Sequence, residues 1–191
     1  PQRRWEASSL MTDPTPTRPQ PEWLSPAQLL LDPGNPRLAG HEFALADQDG
    51  ILEWLWKNKS VNELVDSIVA SGFWQHEELF AAREEGRLVV VEGNRRLAAV
   101  KVLTDGSLRT RLRVRDFGPL TPEVQASLEK LPVLIRPRKE IWEFIGFKHV
   151  NGPQEWDSIA KAQYIYRVRQ EFGVELPTIA RSIGDRHETV T

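Results

Sequence analysis

Apolar residues along this chain switch between two periods, and the switch points mark its elements. Val89, Val90 and Val91 form a β-branched run that reads as a buried strand, ending at Glu92-Gly93-Asn94 where turn-forming residues take over. Leu97, Val100, Lys101 and Leu103 then recur at helical spacing, and Ala98 and Ala99 leave room for that helix to lie close against a sheet. Upstream, Ser60-Val61-Asn62-Glu63 has the form of a capping box, with Leu64, Val65, Ile68 and Val69 as the inward face and Gly72 as the stop. Phe43–Lys59 predicts an amphipathic helix carrying Ile51, Leu52 and Leu55, with Trp54 and Trp56 assigned to core packing. Leu79–Ala82 predicts a strand joined by the turn Arg83–Arg87 to the valine strand.

The flanking stretches complete the pattern. Trp23–Leu31 reads as a short strand or turn, followed by dense turn chemistry at Asp32-Pro33-Gly34-Asn35-Pro36. Arg109–Arg115 alternates arginine with Thr, Leu and Val, which predicts a strand with four arginines on one face, suited to an edge beside a polyanion. Thr121-Pro122-Glu123 opens a helix with Val124, Leu128 and Leu131 as its stripe, and Pro132–Ile135 is the closing strand. From Glu140 onward the period is helical: Asn151-Gly152-Pro153 separates two helices, Glu155–Phe172 is the second, and Gly173 stops it. The expected class is α+β, in three parts: a disordered tail over 1–21, a mixed α/β domain over 22–139 and a helical segment over 140–191.

Composition narrows the function. The tail carries Pro14, Pro16, Pro19 and Pro21 with too few apolar residues to offset the entropy of ordering, and Met11 is a candidate native start. No apolar run reaches membrane-spanning length and no signal peptide precedes the first strand, so the expectation is a cytoplasmic protein without membrane contact. The absence of cysteine rules out disulfides and thiolate chemistry. The net charge of −2 argues against indiscriminate nucleic-acid binding. Yet residues 83–115 hold nine basic residues against four acidic ones, so a basic face on an acidic whole is compatible with it. The four histidines have no metal-ligand or triad spacing, which sets aside zinc and serine hydrolases.

The chemistry concentrates at the turn after the valine run. Arg95 and Arg96 fall in the first turn of a helix, where cations oppose the dipole unless an anion offsets them. Gly93, Asn94 and the two arginines thus make a candidate phosphate cradle, built from unpaired backbone amides, a favourable dipole and guanidinium forks. Glu92 stands beside it, where it could hold a metal ion or polarise a water. The same strand–turn–helix also serves with its arginines simply paired to surface carboxylates, and the residues alone leave both readings open.

A family likeness bears on the choice. Glu92-Gly93-Asn94-Arg95-Arg96-Leu97-Ala98-Ala99 resembles the GERR-type box of the ParB/sulfiredoxin-like superfamily. Leu24–Arg37 resembles the opening strand and "NPR" segment of ParB N-terminal domains, and Glu63–Gln75 resembles the helix and turn before their next strands. Phe147–Gly152 and Trp156–Ala162 resemble the start of the helical part, so the similarity runs in order from about Trp23 to the C-terminus. His76 replaces a proline usual there, and His149-Val150-Asn151-Gly152-Pro153 lacks both the glutamate and the arginine of the family's ENxxR-like box. Sulfiredoxin-type repair needs a cysteine that the chain lacks.

The resemblance implies a ParB/sulfiredoxin-like small mixed sheet with flanking helices, followed by an all-helical segment. It implies a ParB-like, DNA-associated protein, a homodimer that binds CTP or ATP with Mg²⁺ at the EGNRR turn, with nucleotide-dependent DNA binding or clamp closure. In that reading Gly93, Asn94, Arg95 and Arg96 hold phosphate, Gln75 and Asn151 border the base or ribose, and Asn35 and Arg37 approach the nucleotide. Glu92 is the catalytic candidate and the Mg²⁺ candidate, for a nucleoside triphosphatase, a ParB-like nuclease or a phosphotransferase. Leu176–Gly184 resembles the first helix and turn of a helix-turn-helix, with Arg186, His187 and Thr189 entering a recognition helix that reads DNA before the chain stops, as a fragment would. A DNA-binding regulator with a vestigial pocket is the remaining alternative.

Overall fold

A computed structural model describes residues 19–38, 40–150 and 158–183. Five strands form one mixed sheet: β1 (Glu22–Leu24), β2 (Leu29–Leu31), β3 (Leu79–Glu84), β4 (Arg87–Glu92) and β5 (Leu131–Ile135), in spatial order β1-β5-β3-β4-β2. β3 and β4 make an antiparallel hairpin whose two turn residues, Glu85 and Gly86, both have positive φ (49° and 75°), the geometry that follows strand twist most closely. β2 lies parallel to β4 and β5 parallel to β3, each reached by a helical crossover.

Strand alternation assigns the two faces. Leu79, Ala81, Leu88, Val90, Leu131 and Val133 point into the larger core, which is closed by α1 (Gln48–Asn58), α2 (Val61–Ser71), α3 (Asn94–Thr104), α4 (Gly106–Leu112) and α5 (Pro122–Glu129). α3 is buried nearly all round, because Ala98 and Ala99 let it press between the sheet and its helical neighbours. On the opposite face Phe80, Ala82 and Val91 meet a second core made by α6 (Arg138–Val150), α7 (Ser158–Phe172) and α8 (Leu176–Ile183). The class is therefore α+β, a small mixed sheet with flanking helices followed by a helical segment, and that segment is docked on the sheet.

Charged contacts fasten the helical layer. Arg138, at the start of α6, donates Nη1 and Nη2 to Asp32 at 2.7 and 3.1 Å, and Nε and Nη2 to Glu84 at 2.6 and 3.1 Å, joining the ends of β2 and β3. Asp32 is 2 % exposed, so this is a buried bidentate pair with its charge compensated. On α7, Arg167 donates to the carbonyl of Gly34.

Four expectations are corrected. The arginine strand over Arg109–Arg115 is instead helix α4 and its exit: Asp105 accepts from the amides of Ser107 and Leu108 at 2.8 and 3.2 Å, and Leu108 and Leu112, one turn apart, are buried. The arginines therefore do not share a face; Arg109 lies over the Phe117 ring, Arg111 pairs with Asp49 at 2.8 Å, and Arg113 turns the chain at φ 53°. α2 forms and stops at Gly72 (φ 76°), but the capping box before it is not made, because Ser60 lies in the left-handed region and its hydroxyl caps nothing. The helix expected from Phe43 starts at Gln48, where the Asp47 side chain accepts from Gly50 N at 3.0 Å. Leu131 belongs to β5, not to the stripe of α5. Trp54 and Trp56 pack against the larger core.

Candidate anion-binding cleft

The turn between β4 and α3 is forced to be glycine. Gly93 has φ 98°, and a β-carbon there would stand 2.3 Å from Leu79 Cδ2. This turn opens α3 with no side-chain cap; the first helical bond runs from Leu97 N to Gly93 O, so the amides of Asn94, Arg95 and Arg96 have no acceptor within the helix. These residues line a cleft of about 410 Å³.

Most residues singled out in the sequence meet on its wall. Glu92, Gly93, Asn94, Arg95 and Arg96 line it together with Asn35 and Arg37. Gln75 is exposed and is not on this wall. Asn151, Arg186, His187 and Thr189 lie outside the described residues.

The side chains on the wall have different freedom. Asn94, 3 % exposed, is committed to architecture: its Oδ1 accepts from Asp32 N at 2.9 Å and its Nδ2 donates to Val90 O at 2.6 Å. Only its backbone can serve a ligand. Asn35 shapes its own loop by accepting from Arg37 N at 2.9 Å, an Asx turn. Arg96 donates to the carbonyls of Glu77 and Glu78 and so ties the loop before β3 to α3. Arg95 is the less committed arginine: Nη2 donates to Ser60 O at 3.1 Å, while Nε is buried with no acceptor among the described residues.

Glu92 is held by two side chains from the last turn of α6 that are not among the candidate site residues. Lys148 Nζ lies 2.9 Å from its Oε1, and His149 Nε2 lies 2.8 Å from its Oε2. Burial pushes its pKa up, but the His149 hydrogen bond and the charges of His149 and Lys148 outweigh that and bring it down to about 2. With both oxygens occupied and such weak basicity, Glu92 is poorly suited to take a proton at neutral pH. Lys148 and His149 sit in the last turn of α6, where basic residues suit the helix dipole on general grounds, and nothing in their spacing ties them to Glu92. Glu63 and Glu77 were likewise not anticipated on the wall.

Four full cations (Arg37, Arg95, Arg96, Lys148) thus face three carboxylates (Glu63, Glu77, Glu92), a surplus of one positive charge. Among the described residues no group of three or more His, Cys, Asp or Glu side chains converges. No described helix is long and apolar enough to cross a membrane.

No family model matches the chain, and no curated protein matches it. Among solved structures it is similar to the C-terminally truncated chromosome-partitioning protein ParB from Caulobacter crescentus complexed to the centromeric parS site, with 16% identity, 91% of this chain and 68% of that chain covered, and a TM-score of 0.43. It is also similar to the same truncated protein complexed with CTP-gamma-S, with 17% identity, 88% and 73% coverage and a TM-score of 0.39.

Proposed function

We propose that this chain binds a nucleoside triphosphate, CTP or ATP, at the β4–α3 turn and acts on DNA through its helical end. One observation carries the nucleotide half: the uncapped N-terminus of α3 and the partly unsatisfied Arg95 open into the same cleft, which is the donor set a phosphate chain needs. The small cationic surplus suits a triphosphate that arrives with its own magnesium ion, since a bare polyphosphate would bring more negative charge than the wall offsets. The DNA half rests on the resemblance of Leu176–Gly184 to the opening of a helix-turn-helix, and on α8 forming there.

The state of Glu92 favours binding over hydrolysis: a carboxylate saturated by Lys148 and His149 is a floor to the cleft, not a base. The nuclease and phosphotransferase readings both ask Glu92 for that missing basicity.

Calorimetric titration of CTP, ATP and GTP, each with magnesium and each with and without duplex DNA, tests the proposal. Saturable binding of CTP or ATP is expected. Silence with all three would leave a DNA-binding regulator with a vestigial pocket.

A further inference from the structure

Three departures from ordinary chemistry meet at one corner of the cleft. Ser60 stands where an N-cap belongs, yet adopts φ 49° and ψ 42°, a region that disfavours residues other than glycine. Its carbonyl, not its hydroxyl, is used, accepting from Arg95 Nη2 at 3.1 Å. Arg95 Nε, on the same edge of the guanidinium as Nη2, is buried without an acceptor among the described residues. Glu63, which would complete the capping box from the third helical position, instead lines the cleft as an anion in an anion site.

One rearrangement would resolve all three. We propose that Arg95 and the Ser60-Glu63 capping box form a two-position device that is thrown by the polyphosphate, a step that rests on the cleft reading above. Without ligand, Arg95 rests on the Ser60 carbonyl and holds Ser60 left-handed. With ligand, the Nε and Nη2 edge turns onto two phosphate oxygens, exchanging one neutral acceptor and one empty position for a bidentate charged pair. Ser60 then returns to extended backbone, its hydroxyl accepts from the Glu63 amide, and the Glu63 carboxylate accepts from the Ser60 amide. That last movement also withdraws a negative charge from beside the phosphates. Ser60 and Glu63 are therefore positioning residues: they set how readily Arg95 is released, and they pass the state of the cleft to the start of α2.

Opposite shifts from two substitutions at one position test this. Glycine accepts the left-handed conformation without strain, so Ser60→Gly favours the resting position and weakens triphosphate binding about fivefold. Threonine caps as serine does but tolerates that conformation less, so Ser60→Thr tightens binding about threefold. Both are measured by calorimetry with magnesium and whichever of CTP or ATP the parent chain binds, with thermal melts to confirm folding. In the parent chain, the Ser60 13Cα and 13Cβ NMR shifts move from left-handed to extended values as that nucleotide saturates the cleft. Equal affinities for the two variants, shifts in the same direction, or Ser60 resonances that stay left-handed at saturation would overturn the device while leaving the cleft intact. No binding by the parent chain would instead remove the cleft reading itself.

Discussion

Asn94 fastens the end of β2 to β4, because its Oδ1 takes the amide of Asp32 while its Nδ2 reaches back to the carbonyl of Val90. The residue at the mouth of the cleft is thus a structural bolt that fixes where the cleft lies relative to the sheet. Asn94→Ala would strand a buried donor and a buried acceptor, and should cost about 2–4 kcal/mol of folding stability, at 1–3 kcal/mol for each unsatisfied group less what water recovers. Urea unfolding measures it. A loss below about 1 kcal/mol would mean that the amide contributes little to joining the strands.

Gly93 makes a sharper case, since two independent constraints act on it. A side chain there would be strained by φ 98° and would also drive into Leu79 Cδ2 at 2.3 Å, on the core side of the turn. Gly93→Ala is expected to lower stability by about 2–4 kcal/mol. It should also disturb whatever binds the α3 amides. Thermal melts together with the triphosphate titration follow both effects; a melt unchanged by the substitution would contradict the packing described.

What the sequence revealed and what it hid divide along the range of the interactions. The strand–turn–helix from Val89 to Leu103 was legible because the hydrophobic period changes from two to helical within a few residues, and Gly93 marks the change. Arg109–Arg115 misled because Arg-Thr-Arg-Leu-Arg-Val-Arg satisfies a period of two, while the deciding pair Leu108 and Leu112 and the Asp105 cap straddle that window. Ser60 shows a different limit: its box has the right letters, but a tertiary acceptor need, that of Arg95, competes for the backbone that would form the cap. The Glu92 contacts were invisible for a third reason. Lys148 and His149 come from another layer, His149 lying 57 residues along the chain, and no local pattern specifies which carboxylate a helix end will meet.

Glu92 should contribute stability that acid removes. Its pKa in the folded protein is about 2 against an ordinary 4.5, so the ionised form is favoured by folding. The stabilisation is complete above pH 4.5 and is lost as pH falls from there toward 2, because the unfolded chain takes up the proton first. The full contribution is about 3 kcal/mol, from a shift of about 2.5 at 1.36 kcal/mol per pKa unit. Glu92→Gln should therefore flatten the fall in stability between pH 4.5 and 2 while lowering stability at neutral pH. Chemical denaturation of both proteins across that range checks it, and parallel curves would show that Lys148 and His149 do not hold the carboxylate as described.

Arg95 separates the functional reading from the fold. Among the described residues its guanidinium makes one hydrogen bond, to a carbonyl, and leaves a buried donor idle, so the folded protein has little to lose when it is removed. A bound triphosphate would lose a charge-assisted pair. Arg95→Ala is expected to weaken triphosphate binding by about 1.5–3 kcal/mol, the range for hydrogen bonds to charged groups, with stability changed by less than about 1 kcal/mol. Arg96→Ala should behave the other way round: it releases the carbonyls of Glu77 and Glu78, so its larger effect is on stability. Calorimetry and denaturation of the two variants side by side make the comparison. If Arg95→Ala binds nucleotide as the parent chain does, the guanidinium at the cleft serves Ser60 alone and the phosphate reading of this corner fails.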